Sequence, residues 1–153
     1  MAFPSVRDMV ELCKETGQPL YEVILESDLT ESGLTRAESE AEMHRLWSVM
    51  CATSAGYCST DRSMSGFAGG DAAKVSEAAA RGILYADGYF ADVMAEALKT
   101  AECNACMKRI VAAPTAGSCG VLPAVLLPLA RAGEADELSL IHISEPTRLR
   151  RIS

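Results

Sequence analysis

The chain has 153 residues, 49% hydrophobic and 23% charged, enough for one domain with a buried core and too few for two. Its formal charge of −7 is uneven: residues 1–137 hold 11 basic and 20 acidic side chains, and the last 16 residues carry +2. An acidic body repels nucleic acid and anionic membrane and excludes both as partners. Three Phe, one Trp and four Tyr beside abundant Ala and Gly favour close-packed helices over an aromatic-filled sandwich.

Ser5 is placed to cap a helix with Val6, Met9, Val10, Leu12 and Cys13 on one stripe and Gly17 as its stop. After Pro19, "LYEVILESDLT" repeats the pattern through Leu20, Val23, Ile24 and Leu29 and ends near Gly33, so the simplest arrangement is a helical hairpin. "TRAE" at Thr35–Glu38 is a capping-box pattern. It opens a long helix reaching about Cys58 through Leu46, Trp47, Val49 and Met50, with Glu38, Glu40 and Glu42 near its positive end. Met43 and Met50 read as core, and His44, between Glu40 and Arg45, as a surface residue rather than a base.

From Ser59 to Gly70 the composition turns to Ser and Gly. "SMSGFAGGDAAK" places three glycines in five residues ahead of an alanine-rich helix starting around Asp71. Asp71 suits an N-cap better than a catalytic base, and Lys74 reads as solvated. "GFAGGD" has neither the G-x-G-x-x-G spacing nor the G-K-[ST] ending of a nucleotide loop. A further helix is expected from about Asp87 to Arg109, burying Phe90, Val93, Met94, Ala97 and Leu98, with Asp87 as N-cap and Lys108 and Arg109 at its negative end.

The stretch "IVAAPTAGSCGVLPAVLLPLA" then puts a small-residue loop before an apolar run. A helix from near Val121 would hold Pro123 in its first turn and be bent at Pro128. Gly117 and Gly120 permit positive φ around Ser118 and Cys119, so that backbone amides converge. With the helix start and the hydroxyls of Thr115 and Ser118, such a nest suits a carboxylate. The purely structural reading is that the small residues only let helices cross closely.

Six cysteines (Cys13, Cys51, Cys58, Cys103, Cys106, Cys119) with no signal peptide at Met1 read as reduced thiols of a cytoplasmic protein. The longest apolar run, Val121 to Ala130, is half a membrane span and holds two prolines. Cys103 and Cys106 form C-x-x-C without a second pair and are read as small core thiols. Cys51 and Cys58 are assigned to one helical face for the same reason. Cys119, near a helix start, is the thiol whose surroundings would favour a thiolate.

Two motifs point to a family. Ala113, Pro114, Thr115, Gly117, Gly120 and Pro123 match A-P-T-x-G-x-x-G-x-x-P, and Ser65, Gly66, Gly69, Gly70, Asp71 and Ala72 match S-G-L-T-G-G-D-A. Phe67 and Ala68 replace the Leu-Thr pair, which removes a hydroxyl at position 68. The sequence resembles the N-terminal part of the alpha chain of the iron-sulfur L-serine dehydratases, or L-serine ammonia-lyases.

That resemblance implies an all-α, multi-helix fragment of the alpha-chain catalytic domain over residues 1–137. The parent enzyme would convert L-serine to pyruvate and ammonia, a step of amino-acid degradation and gluconeogenesis, with a [4Fe-4S] cluster as Lewis acid. Ser65, Gly69, Gly70, Thr115, Gly117, Ser118 and Gly120 would bind the substrate; the catalytic base is not assigned. In the family the cluster cysteines lie further along than this sequence reaches, so no residue here is assigned as a metal ligand and the fragment alone is expected to be inactive. Because Met1 precedes the first helix by only a few residues, a separate beta chain is expected as partner. The competing class is a non-catalytic helical module that binds a partner through apolar faces or a metal through thiols.

Residues 138–148, "LSLIHISEPTR", resemble the conceptual translation of a transposon-type sequencing adaptor, continued by "LRRIS". Residues 138–153 are therefore read as a non-native tail, and His142 carries no functional weight. The alternative is a natural basic strand followed by a solvated arginine cluster.

Overall fold

The first three helices begin and end at their local caps. In α1 (Val6–Thr16) the Ser5 hydroxyl accepts from the Asp8 N–H at 3.3 Å, and Gly17 closes the helix at φ 67°. α2 (Leu20–Ser32) ends at Gly33, φ 69°, whose N–H donates to the Leu29 carbonyl at 3.0 Å. α3 (Arg36–Ala55) opens on the capping box: the Glu38 N–H donates to the Thr35 hydroxyl and the Thr35 N–H to the Glu38 carboxylate. α1 packs on α2 as a hairpin, and Arg36 reaches back to Glu22 at 2.5 Å to tie α2 to the start of α3.

The computed structural model describes residues 5–84, 88–112 and 118–133, and its elements there are all helical. α4 (Asp71–Ala80), α5 (Gly88–Ala105) and α6 (Ser118–Ala132) complete the set. α5 is central: it packs on α4 and α6, while α3 meets both α5 and α6. Met50, Val111 and Leu127 form a core cluster, with Leu46, Trp47 and Val49 half-buried against it. Met43 is also buried and His44 exposed, as the periodicity predicts. Among the described residues no helix is long and apolar enough to cross a membrane.

Several expectations are corrected. α3 ends at Ala55: the Gly56 N–H makes the last helical bond, to the Ala52 carbonyl, and the Tyr57 N–H then turns to the Ser54 carbonyl three residues back. Cys58 therefore lies in the following loop, and it and Cys51 are both exposed instead of sharing a buried face. On α5 the buried face is Ala91, Ala95, Glu96, Thr100, Glu102 and Cys103, while Phe90 is 57% exposed and Met94 37%. Val93, Ala97 and Leu98 are only half-buried. Small side chains let α4 and α6 approach α5 closely, and the two glutamates are tolerated there because donors surround them.

α5 stops at Ala105, followed by Met107 at φ 60°, so Lys108 and Arg109 lie beyond its last turn. Lys108 instead pairs with Asp61 and donates to the Gly56 carbonyl at 3.0 Å. Asp87 is outside the described residues. α6 begins at Ser118, three residues earlier than expected, which moves Pro123 from the first turn into the helix interior. Pro123 and Pro128 leave the Cys119 and Ala124 carbonyls without their helical donors.

Candidate functional site

The Ser59–Gly70 loop is held in shape by its own hydrogen bonds. The Ser63 N–H donates to the Ala68 carbonyl at 2.9 Å and the Gly66 N–H to the Ser63 carbonyl at 2.8 Å. The Ser63 hydroxyl accepts from the Ala68 N–H at 3.1 Å and lies 3.1 Å from the Ser65 hydroxyl. Arg62 donates to the carbonyls of Ser59 and Asp61, each at 2.7 Å. Gly69 (φ 133°) and Gly70 (φ 87°) then turn the chain into α4; a Cβ at Gly69 would collide with the Asp61 carbonyl.

Gly70, not Asp71, is the N-cap of α4, and no side chain of its own segment caps it. The cap comes from α5. Glu102 accepts from the N–H groups of Gly70 (2.8 Å), Asp71 (2.7 Å) and Ala72 (3.0 Å), and from the Tyr57 hydroxyl at 2.8 Å. These amides are donors that a helix start leaves unpaired, and its positive end favours a carboxylate. Burial disfavours the Glu102 charge, but the Tyr57 hydroxyl and the amides of Ala72, Gly70 and Asp71 outweigh it and hold the pKa below the usual range. Burial and the bond to Glu102 push Tyr57 up to about 12. Asp71 is thereby free to pair with Lys74 at 2.7 Å on the surface.

A second buried carboxylate joins three helices. Glu96 accepts from the Ser54 hydroxyl (2.7 Å) on α3, Lys99 (2.7 Å) on α5 and Arg131 (2.6 Å) on α6, and Arg131 also donates to Ser54 at 2.9 Å. Burial raises its pKa, and the bonds from Lys99, Arg131 and Ser54 more than reverse that. Neither Glu96 nor Glu102 was singled out by the apolar pattern. The available signal was that Glu102 follows Ala95 by seven residues and Ala91 by eleven, one stripe of an α-helix.

Of the residues assigned to substrate, Ser65 is exposed, Gly69 half-buried and Gly70 buried in the first loop. Ser118 and Gly120 open α6, Gly120 in helical backbone rather than at positive φ. Thr115 and Gly117 lie outside the described residues. All six cysteines are free thiols, Cys103 buried and Cys119 half-buried. Cys58, Cys103 and Cys106 line one crevice with Tyr57 and Lys108. Among the described residues, however, no group of three or more His, Cys, Asp or Glu side chains is placed to hold a metal. The donors among the described residues do not fit a four-iron cluster.

The geometry is thus a glycine-turned, serine-bearing loop locked to a helical core by a buried carboxylate. A family model described as serine dehydratase alpha chain matches residues 15–143, a span that contains both glycine motifs. The chain belongs to the serine dehydratase alpha chain family. It is 33% identical over 124 residues to the L-serine dehydratase, alpha chain, of Peptoniphilus asaccharolyticus, covering 80% of this chain and 42% of that one. It is 31% identical over 124 residues to the probable L-serine dehydratase, alpha chain, of Bacillus subtilis (strain 168), covering 81% and 41%. The chain spans less than half the length of these serine dehydratase relatives. No solved structure matches it.

Proposed function

We propose that this chain is part of an L-serine ammonia-lyase that converts L-serine to pyruvate and ammonia in the cytoplasm. The observation that carries the reading is the alpha-chain family match over residues 15–143. In the proposed site the loop around Ser65, Gly69 and Gly70 faces substrate together with the segment Thr115, Gly117, Ser118 and Gly120. Serine and threonine hydroxyls and the amides that open α6 supply donors for the substrate carboxylate. Gly69 and Gly70 contribute backbone shape, since the Gly70 N–H is already given to Glu102.

A Lewis acid would assist loss of the serine hydroxyl, and a [4Fe-4S] cluster is the group the family reading would supply for that. Its ligands belong to the length of the relatives that this chain does not span, and a separate beta chain is the proposed partner. Residues here bind and orient; none is assigned to the cluster.

The test is an assay of L-serine-dependent pyruvate formation by the 153-residue chain and by a full-length alpha chain carrying this segment, assembled with its beta chain. Turnover is expected only in the assembled enzyme, with iron-sulfur absorbance and loss of activity in air. Serine turnover that persists in a metal-free preparation, or none in the assembled enzyme, overturns the proposal.

A further inference from the structure

The proposed chemistry leaves two buried carboxylates unused, Glu96 and Glu102, and Glu102 is the one that touches the glycine loop. It is 6% exposed, yet it accepts from three backbone N–H groups and a tyrosine hydroxyl from separate parts of the chain. We propose that Glu102 and Tyr57 are positioning residues that hold the Ser63–Gly70 loop in the shape that receives substrate, by filling the amide nest at the start of α4. This rests on the lyase reading above and deepens it.

Four observations carry the inference. Gly69 and Gly70 sit at φ 133° and 87°, backbone that glycine adopts without steric cost and can also leave, so the turn is held by what bonds to it. The amides that follow them all converge on the two Glu102 oxygens, so α4 has no side-chain cap of its own. Tyr57 stands just after α3 and ties that same carboxylate to the opposite end of the loop. Lys108, three residues past α5, adds a tie to Asp61 on the loop's first half.

The consequence is specific. The carboxylate of a substrate at this loop does not meet the Gly70, Asp71 and Ala72 amides, because an internal carboxylate already occupies them. It meets the Ser63 and Ser65 hydroxyls, 3.1 Å apart, whose placement depends on the anchored Gly69–Gly70 turn.

The experiment uses the assembled full-length enzyme with Glu102→Gln, Tyr57→Phe and a control, Ser54→Ala, which disturbs the other buried network. Amide hydrogen exchange at Gly70, Asp71 and Ala72 is read beside KM and kcat for L-serine. These first-turn amides are expected to be protected in the unmodified protein. They are expected to exchange about 10-fold faster in Glu102→Gln, where an NH2 group replaces one acceptor oxygen. KM is expected to rise about 10-fold with kcat changed far less, and Tyr57→Phe should move both readouts the same way by less. Ser54→Ala should lower the melting temperature while leaving KM and these amides alone.

Unprotected amides in the unmodified protein, unchanged KM in both loop variants, or a Ser54→Ala enzyme that reproduces their KM change would overturn the proposal. If Glu102→Gln does not fold, Tyr57→Phe decides. An unmodified enzyme without serine turnover sinks the lyase reading instead, and the exchange data then still test the anchoring by themselves.

Discussion

Glu96 and Glu102 show why a charge can lie in a helical core. Each is nearly inaccessible, 1% and 6% exposed, and each is met by several donors, which is the condition for burying a carboxylate without prohibitive cost. Replacing Glu102 by Ala strands three amides and a phenol, and a loss of about 3 kcal/mol in urea unfolding is expected. Both carboxyls have folded pKa values below their ordinary 4.5. Their stabilisation is therefore complete above the unfolded value and disappears as pH falls through the depressed folded values. Melting temperature should fall as the pH drops below the ordinary carboxylate range and through the lowered folded values, and Glu96→Gln and Glu102→Gln should each flatten that slope. Neither role was legible in the sequence, because every partner given except Lys99 lies 30 to 45 residues away: Gly70, Asp71, Ala72, Ser54, Tyr57 and Arg131.

At the scale of the element, what local chemistry governs was readable. Ser5, the Thr35–Glu38 box and the stops at Gly17 and Gly33 act within a few residues of themselves. Thr35→Ala should cost about 1 kcal/mol, measured by thermal unfolding. Gly69→Ala is a harsher change: the residue sits at φ 133° and the added Cβ runs into the Asp61 carbonyl. A loss of about 2 kcal/mol is expected, with faster amide exchange confined to the loop and the first turn of α4. The sequence pattern of α5 points to the wrong face because Phe90 and Met94 mark an apolar stripe that these six helices leave exposed, while its buried residues are mostly small ones and the two glutamates. The start of α6 was placed late because Pro123 suggested a first turn that Ser118 had already begun.

For the molecule as a whole, α5 is the hub that joins α3, α4 and α6, and the α1–α2 hairpin is tied to α3 through Glu22 and Arg36. Leu127 stands in the cluster where α3 and α6 meet Val111. Leu127→Ala should cost about 3 kcal/mol in a urea titration, which would identify that cluster as the common core. The reading of residues 138–153 as a foreign tail carries its own test. Deleting them should leave helix content and melting temperature unchanged by circular dichroism, although the family match extends to residue 143. A clear drop in melting temperature would return those residues to the domain.

By itself the sequence determined the helical class, the Ser5 and Thr35 caps with the Gly17 and Gly33 stops, the two glycine motifs and through them the family, because each is a property of neighbouring residues or of a short fixed pattern. Only the tertiary structure decided which face of α5 is buried, what caps α4 and how the glycine loop is anchored. A buried carboxylate is defined by donors that converge on it from distant segments, and that convergence exists only once the helices are packed.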